Sequence, residues 1–219
     1  MSRTIFRLDA SIRQQGSVTR AVADTLEAAV LDDLHPTDVV RRDVGARPLD
    51  GSVWGEAAFA GFTPEEARTD EQRAAVAVAA GLADEVVDAD ALILAVPLYN
   101  FGVSQHFKTW YDVVSTDPRL GPGATTLTGR PAFLVTARGG GYGAGTPREG
   151  WDHATGWMRR VLADVWGLDL EVIETELTLA EVTPQMAHLR EAAHSLLAES
   201  HQAAQERGRS LTLRLRSAA

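Results

Sequence analysis

Ala91-Leu92-Ile93-Leu94-Ala95-Val96 is the most constraining stretch of the chain. A continuous apolar run leaves no polar face for water. A strand built from it must be covered on both sides, as the central strands of parallel sheets are. Parallel neighbours need long crossover connections, and these are usually helical. The rest of the sequence supplies both parts. Thr4-Ile5-Phe6-Arg7-Leu8 reads as a first strand, Val39-Val40 within Asp38–Asp43 as a second, Ala132 to Thr136 as a fourth and Leu170 to Glu174 as a fifth.

Helical patterns fill the intervals. Ser17 caps a helix from Val18 to about Leu34, whose apolar stripe is Val18, Ala21, Val22, Leu26, Ala29 and Val30. Thr63-Pro64-Glu65-Glu66 and Thr69-Asp70-Glu71-Gln72 both carry the capping-box pattern, and an Ala- and Val-rich helix follows to about Asp88. Further helices are expected from Ser104 to about Ser115, from about Trp151 to Trp166, and from Thr183-Pro184 to about Arg207. Gly45 to Phe62 is expected to be irregular, and 209–219 to be a tail, frayed or forming an extra strand. Strands and helices in this alternation predict one α/β domain over 1–219. Its parallel sheet is doubly wound, five-stranded and ordered 2-1-3-4-5, with helices on both faces.

Composition narrows the function. The 219 residues include no cysteine, which removes disulfides, thiolate metal sites and cysteine nucleophiles. A net charge of −9 disfavours non-specific binding to nucleic acid or to an anionic membrane. No apolar run is long enough for a bilayer span and no signal-peptide layout precedes the first strand, so a cytoplasmic location is expected. No G-x-S-x-G elbow or Walker lysine is present. His188, His194 and His201 lack the i, i+4 spacing of a helical metal site, so no metal is expected.

In a doubly wound sheet, ligands bind beyond the carboxyl ends of the strands near the point where strand order reverses. The three loops expected there are the most unusual segments of the chain. The first, Asp9 to Thr19, brackets a helix start with Ser11, Ser17 and Thr19, a setting that suits an anion; Ser17 acting as a plain cap explains part of the same pattern. Arg13 can pair with such an anion or stay solvated. The second, Pro97-Leu98-Tyr99-Asn100-Phe101-Gly102, groups apolar and aromatic side chains with one amide, as a flat aromatic ligand requires, or as a loop packed on its own domain would show. The third, Ala137 to Gly150, carries six glycines, which allow close backbone approach or simple flexibility.

Together these loops resemble the FMN-dependent NADH-azoreductases, also called NADH:quinone oxidoreductases, which have a flavodoxin-like fold. The strongest likeness is Pro97-Leu98-Tyr99-Asn100-Phe101-Gly102-Val103-Ser104 with Phe107-Lys108-Thr109-Trp110-Tyr111-Asp112; Thr136-Ala137-Arg138-Gly139-Gly140 and Ser17-Val18-Thr19 add to it. The resemblance spans roughly residues 4 to 200. It implies that Ser11, Ser17, Thr19 and the Val18 N–H hold the FMN phosphate. It implies that Pro97, Leu98, Tyr99, Asn100 and Phe101 contact the isoalloxazine, and that Thr136, Arg138, Gly139 and Gly140 line its other side. NADH or NADPH would be the electron donor, a small aromatic quinone or azo compound the acceptor, and a homodimer the working unit, with ping-pong hydride transfer. A reduced quinone can take its proton from water, and Tyr99, Tyr142 and the histidines are the candidate side-chain donors. Two other readings share the fold: a biosynthetic flavin reductase specialised for one aromatic metabolite, and a flavodoxin-type electron carrier with no substrate. The chain departs from the family pattern at Leu98, where methionine is usual, in 113–128, which is shorter, in 141–157, which is longer, and near Ala180-Glu181, where a tyrosine-glycine pair is missing.

Overall fold

The computed structural model describes residues 2–217. Strands β1 (Arg3–Asp9), β2 (Thr37–Asp43), β3 (Ala91–Ala95), β6 (Pro131–Ala137) and β7 (Asp169–Thr175) form a five-stranded sheet in the order β2-β1-β3-β6-β7. Every pairing is parallel. In sequence order of the sheet strands this is the expected 2-1-3-4-5. Two short strands, β4 (Leu98–Tyr99) and β5 (Gly102–Val103), form an antiparallel hairpin inside the second ligand loop.

Residue alternation divides the core into two layers. Ile5, Ile93 and Val135 face α1 (Val18–Leu31) and α6 (Arg190–Ser217), joining Val22, Leu26, Val30, Leu211 and Leu215. Phe6, Leu92, Leu94 and Leu134 face the opposite layer, built on α3 (Asp70–Val87), α4 (Gln105–Val114) and α5 (Thr155–Arg159). All five residues of β3 are buried, as its continuous apolar run demands. Trp110 of α4 is fully buried, stacks on Phe6 at 5.8 Å and meets Trp166 edge-on.

Several local expectations need correction. Gly45 to Phe62 is not irregular throughout: it contains α2 (Ser52–Ala60). Asp50 starts this helix by accepting from both the N–H and the hydroxyl of Ser52. Only Ala57 and Ala60 are buried on α2, so no periodic stripe announces it. Thr63 does not cap a helix. Its hydroxyl donates back to the Phe59 carbonyl at 3.0 Å, and only a short 3-10 turn, Glu65–Ala67, follows. The capping box at Thr69 and Gln72 is present and begins α3. Helix α5 starts at Thr155 rather than Trp151, because the Asp152 carboxylate takes the N–H groups of Ala154 and Thr155; its continuation, Arg160–Val165, is π-helical. The last helix starts at Arg190, after a 3-10 segment, Pro184–Leu189, that holds His188.

The tail expectation also fails. Helix α6 runs on to Ser217, while residues 218 and 219 lie outside the described residues. Ala204, Gly208, Leu211 and Leu215 recur at helical spacing and are buried, and the Arg3 guanidinium donates to the Leu215 carbonyl at 2.7 Å. Within α1, Thr19 and Glu27 are buried and Ala21 is exposed, a small rotation from the expected stripe.

Candidate functional site

A cavity of about 340 Å³ opens at the carboxyl ends of β1, β3 and β6, where the three unusual loops converge. The first loop contributes Ser11, Arg13, Gly16, Ser17, Val18 and Thr19. Ser17 is the N-cap of α1: its hydroxyl accepts from the Arg20 N–H and lies 3.1 Å from the Thr19 hydroxyl. The first N–H groups of α1 have no intrahelical carbonyl to donate to and carry the positive end of the helix dipole. Hydroxyls, free amides and Arg13 at one end, with no acidic side chain in the lining, form a donor set that suits a phosphate monoester.

Arg20 holds this loop in shape from below. Its guanidinium donates to the Ser11 carbonyl at 2.7 Å and the Arg13 carbonyl at 3.1 Å, and takes both oxygens of Asp43 at 2.8 Å. Burial pushes the Asp43 carboxyl up. The bond from Arg20, the N–H groups of Ala46 and Gly45 and the Arg20 charge outweigh that and hold it below the usual carboxylate range. Gly45 completes the support: a Cβ there would lie 2.0 Å from the Ser11 carbonyl oxygen, so only glycine lets the end of β2 approach this closely. Sequence reading missed Arg20 and Gly45; neither belongs to a motif, and their roles depend on the pairing of β1 with β2.

The second loop contributes Pro97, Leu98, Tyr99, Asn100 and Phe101. Asn100 and Phe101, at the tip of the β4–β5 hairpin, have φ of 48° and 66°. A phenylalanine in the left-handed region is strained by roughly 1–3 kcal/mol, and such strain gathers at ligand sites. Asn100 is exposed on the cavity rim. The Tyr99 hydroxyl lies 3.3 Å from the Ser11 hydroxyl and accepts from the Ile12 N–H at 3.2 Å, linking the second loop to the first. Of the two tyrosines expected as proton donors, Tyr99 is thus engaged in the loop scaffold, while Tyr142 is buried and lines the cavity.

The third loop divides. Gly139 and Ala137 reach the cavity, joined by Thr178 and Leu179 from the segment after β7. Thr136, Arg138 and Gly140 do not line it. Thr136 is fully buried, and its hydroxyl has no hydrogen-bond partner among the described residues. Arg138 is buried and clamps three carboxylates, Asp152 at 3.0 Å, Glu176 at 2.9 Å and Glu174, tying the end of β6 to β7 and to the start of α5. Burial raises the Asp152 carboxyl, and the Thr155 N–H and hydroxyl, the Ala154 N–H and the Arg138 charge more than offset it, leaving a lowered pKa. Gly140 is buried beneath Arg148. Arg148, Thr178 and Leu179 carry no motif that could have marked them in advance.

A doubly wound parallel sheet with a hydroxyl-rich helix start and an apolar loop at its switch point is flavodoxin-like, and the chain matches the family model described as "Flavodoxin-like fold" over residues 3–200. It is 36% identical over 207 residues to the FMN-dependent NADH:quinone oxidoreductase of Frankia casuarinae, covering 93% of this chain and 97% of that protein. The protein of the same description from Streptomyces avermitilis is 33% identical over 210 residues, covering 95% and 96%. The chain belongs to the FMN-dependent NADH:quinone oxidoreductase family, a family of oxidoreductases. Among solved structures, an azoreductase from Bacillus anthracis shares the fold with a TM-score of 0.76 at 17% identity, covering 96% of this chain and 100% of that one. No helix among the described residues is long and apolar enough to cross a membrane.

Proposed function

We propose that this chain binds FMN in the cavity at the switch point and uses it to carry two electrons from NADH to a quinone or azo acceptor. The observation that carries this reading is the meeting of phosphate-type donors and an apolar, aromatic loop around one hollow. The hydroxyls of Ser11, Ser17 and Thr19 and the N-terminus of α1 would hold the phosphate. Pro97, Leu98, Tyr99, Asn100 and Phe101 would hold the ring, with Gly139 behind it. The relatives' names supply the cofactor and the donor. Bound FMN supplies reversible two-electron chemistry, and the protein supplies position and electrostatics.

The overall reaction balances as NADH plus quinone plus one proton giving NAD⁺ plus hydroquinone. Donor and acceptor would use the same open face in turn, which predicts ping-pong kinetics. No side chain of this chain has to act as a strong acid, because the proton is available from water. Exposed Trp54, Phe59 and Phe62 on and beside α2 support a homodimer, and α6 lying back over α1 supports one domain acting as a unit.

The test is the visible spectrum of the purified protein before and after anaerobic NADH, followed by a quinone. A flavin spectrum that bleaches with NADH and returns with the quinone is expected, with parallel double-reciprocal lines in the steady state and NADH preferred to NADPH. A flavin that NADH leaves oxidised would make the chain an electron carrier instead. Sedimentation analysis tests the dimer.

A further inference from the structure

We propose that Arg148 recognises an anionic substituent on the aromatic acceptor, so that the preferred acceptors are flat quinones carrying a sulfonate or carboxylate; this rests on the flavin reading above. The chain has 30 acidic and 21 basic residues, yet among the described residues its cavity is lined by two arginines and by no acid. Arg13 sits among the hydroxyls of the first loop and belongs to the phosphate end. Arg148 lies at the other end, over the Phe101 ring at 5.9 Å.

Arg7, Arg20 and Arg138 each hold carboxylates. Arg148 is exposed and holds none among the described residues, so its guanidinium is open to a ligand at the cavity mouth. The loop that presents it is built rather than slack. The Glu149 carboxylate accepts from the Gly145 N–H, the Thr146 hydroxyl donates to the Gly143 carbonyl, and the Trp151 N–H donates to the Arg148 carbonyl. The loop is pinned to the second loop where the His153 N–H donates to the Phe101 carbonyl at 2.9 Å. Trp151 meets Phe101 edge-on at 5.2 Å, and Tyr142 lies 6.4 Å from it. The result is an aromatic wall with one exposed cation lying over it. Such a wall favours a planar ring bearing a negative charge, because guanidinium pairs bidentately with sulfonate or carboxylate oxygens. The net charge of −9 would give such a ligand little attraction away from this cation.

Two variants test this. Arg148→Ala removes the cation. Gly140→Ala keeps it and displaces it, because a Cβ at Gly140 would sit 2.6 Å from the Arg148 Nη1. With FMN-loaded protein reduced by NADH, stopped-flow reoxidation is compared for 1,4-naphthoquinone-2-sulfonate and 1,4-naphthoquinone. The ratio of their second-order rate constants should fall about tenfold or more in Arg148→Ala and by a smaller factor in Gly140→Ala, where the flexible side chain moves but keeps its charge. Equilibrium binding of redox-inert naphthalene-2-sulfonate, followed by the flavin absorbance shift, should weaken by the same factor relative to naphthalene-2-carboxamide. An unchanged ratio overturns the proposal. Weaker NADH binding with an unchanged ratio also overturns it and assigns the cation to the pyrophosphate of the dinucleotide. A wild-type protein that takes up no FMN overturns the parent reading and this one together.

Discussion

The Tyr99 hydroxyl lies 3.3 Å from the Ser11 hydroxyl and accepts the Ile12 N–H. A residue of the ring-binding loop thereby fixes the phosphate-binding loop. Tyr99→Phe keeps the ring and removes this link. FMN affinity of the apoprotein should fall about tenfold, the value of one or two modest hydrogen bonds. Fluorescence titration measures it, and an unchanged dissociation constant would show that the loops hold their places independently.

Arg20 uses four hydrogen bonds to join the first loop to the end of β2. Arg20→Met should weaken FMN binding more than Tyr99→Phe does and lower the melting temperature as well. Arg20→Lys should recover little, because a single ammonium cannot reproduce the guanidinium fork. Full recovery by lysine would mean that charge alone matters at this position.

Thr136 belongs to the stretch that resembles a flavin loop, yet its hydroxyl is buried with no partner among the described residues and is not part of the cavity lining. Thr136→Val removes the unpaired group at nearly constant shape. Stability to urea should stay level or rise by up to about 1–2 kcal/mol, with FMN affinity unchanged. A marked loss of FMN would return Thr136 to the cofactor site.

Asp43 and Asp152 ionise more readily in the folded chain than an ordinary aspartate does. Their contribution is complete above the unfolded-state value, near about 3.9, and is lost as pH falls through the lower folded-state values. Urea unfolding should therefore show little change from these groups at neutral pH and a steep fall in stability below about pH 4. Asp43→Asn and Asp152→Asn should each lower stability at neutral pH and flatten the acid limb. An acid limb as steep as that of the parent would rule out these two carboxyls as its source.

The middle of the sheet was legible because β1, β3 and β6 carry their burial in their own residues. Ala91 to Ala95 is apolar throughout and buried throughout, and the loops after β1, β3 and β6 stand out for hydroxyl, aromatic and glycine content. What escaped depends on contacts distant in sequence. Helix α2 buries only two alanines, so periodicity does not reveal it. Arg138 looks like a ligand residue beside its glycines, yet Asp152, Glu174 and Glu176 converge on it only after folding. Arg148 and Gly45 likewise gain their roles from neighbours on other elements. The run from Ala204 to Leu215 was a missed local signal: its spacing is helical, and the α1 face accepts it.

The seating of α6 against α1 has a consequence for biosynthesis. A ribosome delivers α1 long before the end of α6. Until Leu211 and Leu215 emerge, Val22, Leu26 and Val30 have no cover from that helix. The nascent chain therefore carries a partly uncovered apolar stripe on α1 while the residues between α1 and the end of α6 are made. Holding chaperones should engage that stripe and let go when the turns of α6 that carry Leu211 and Leu215 arrive.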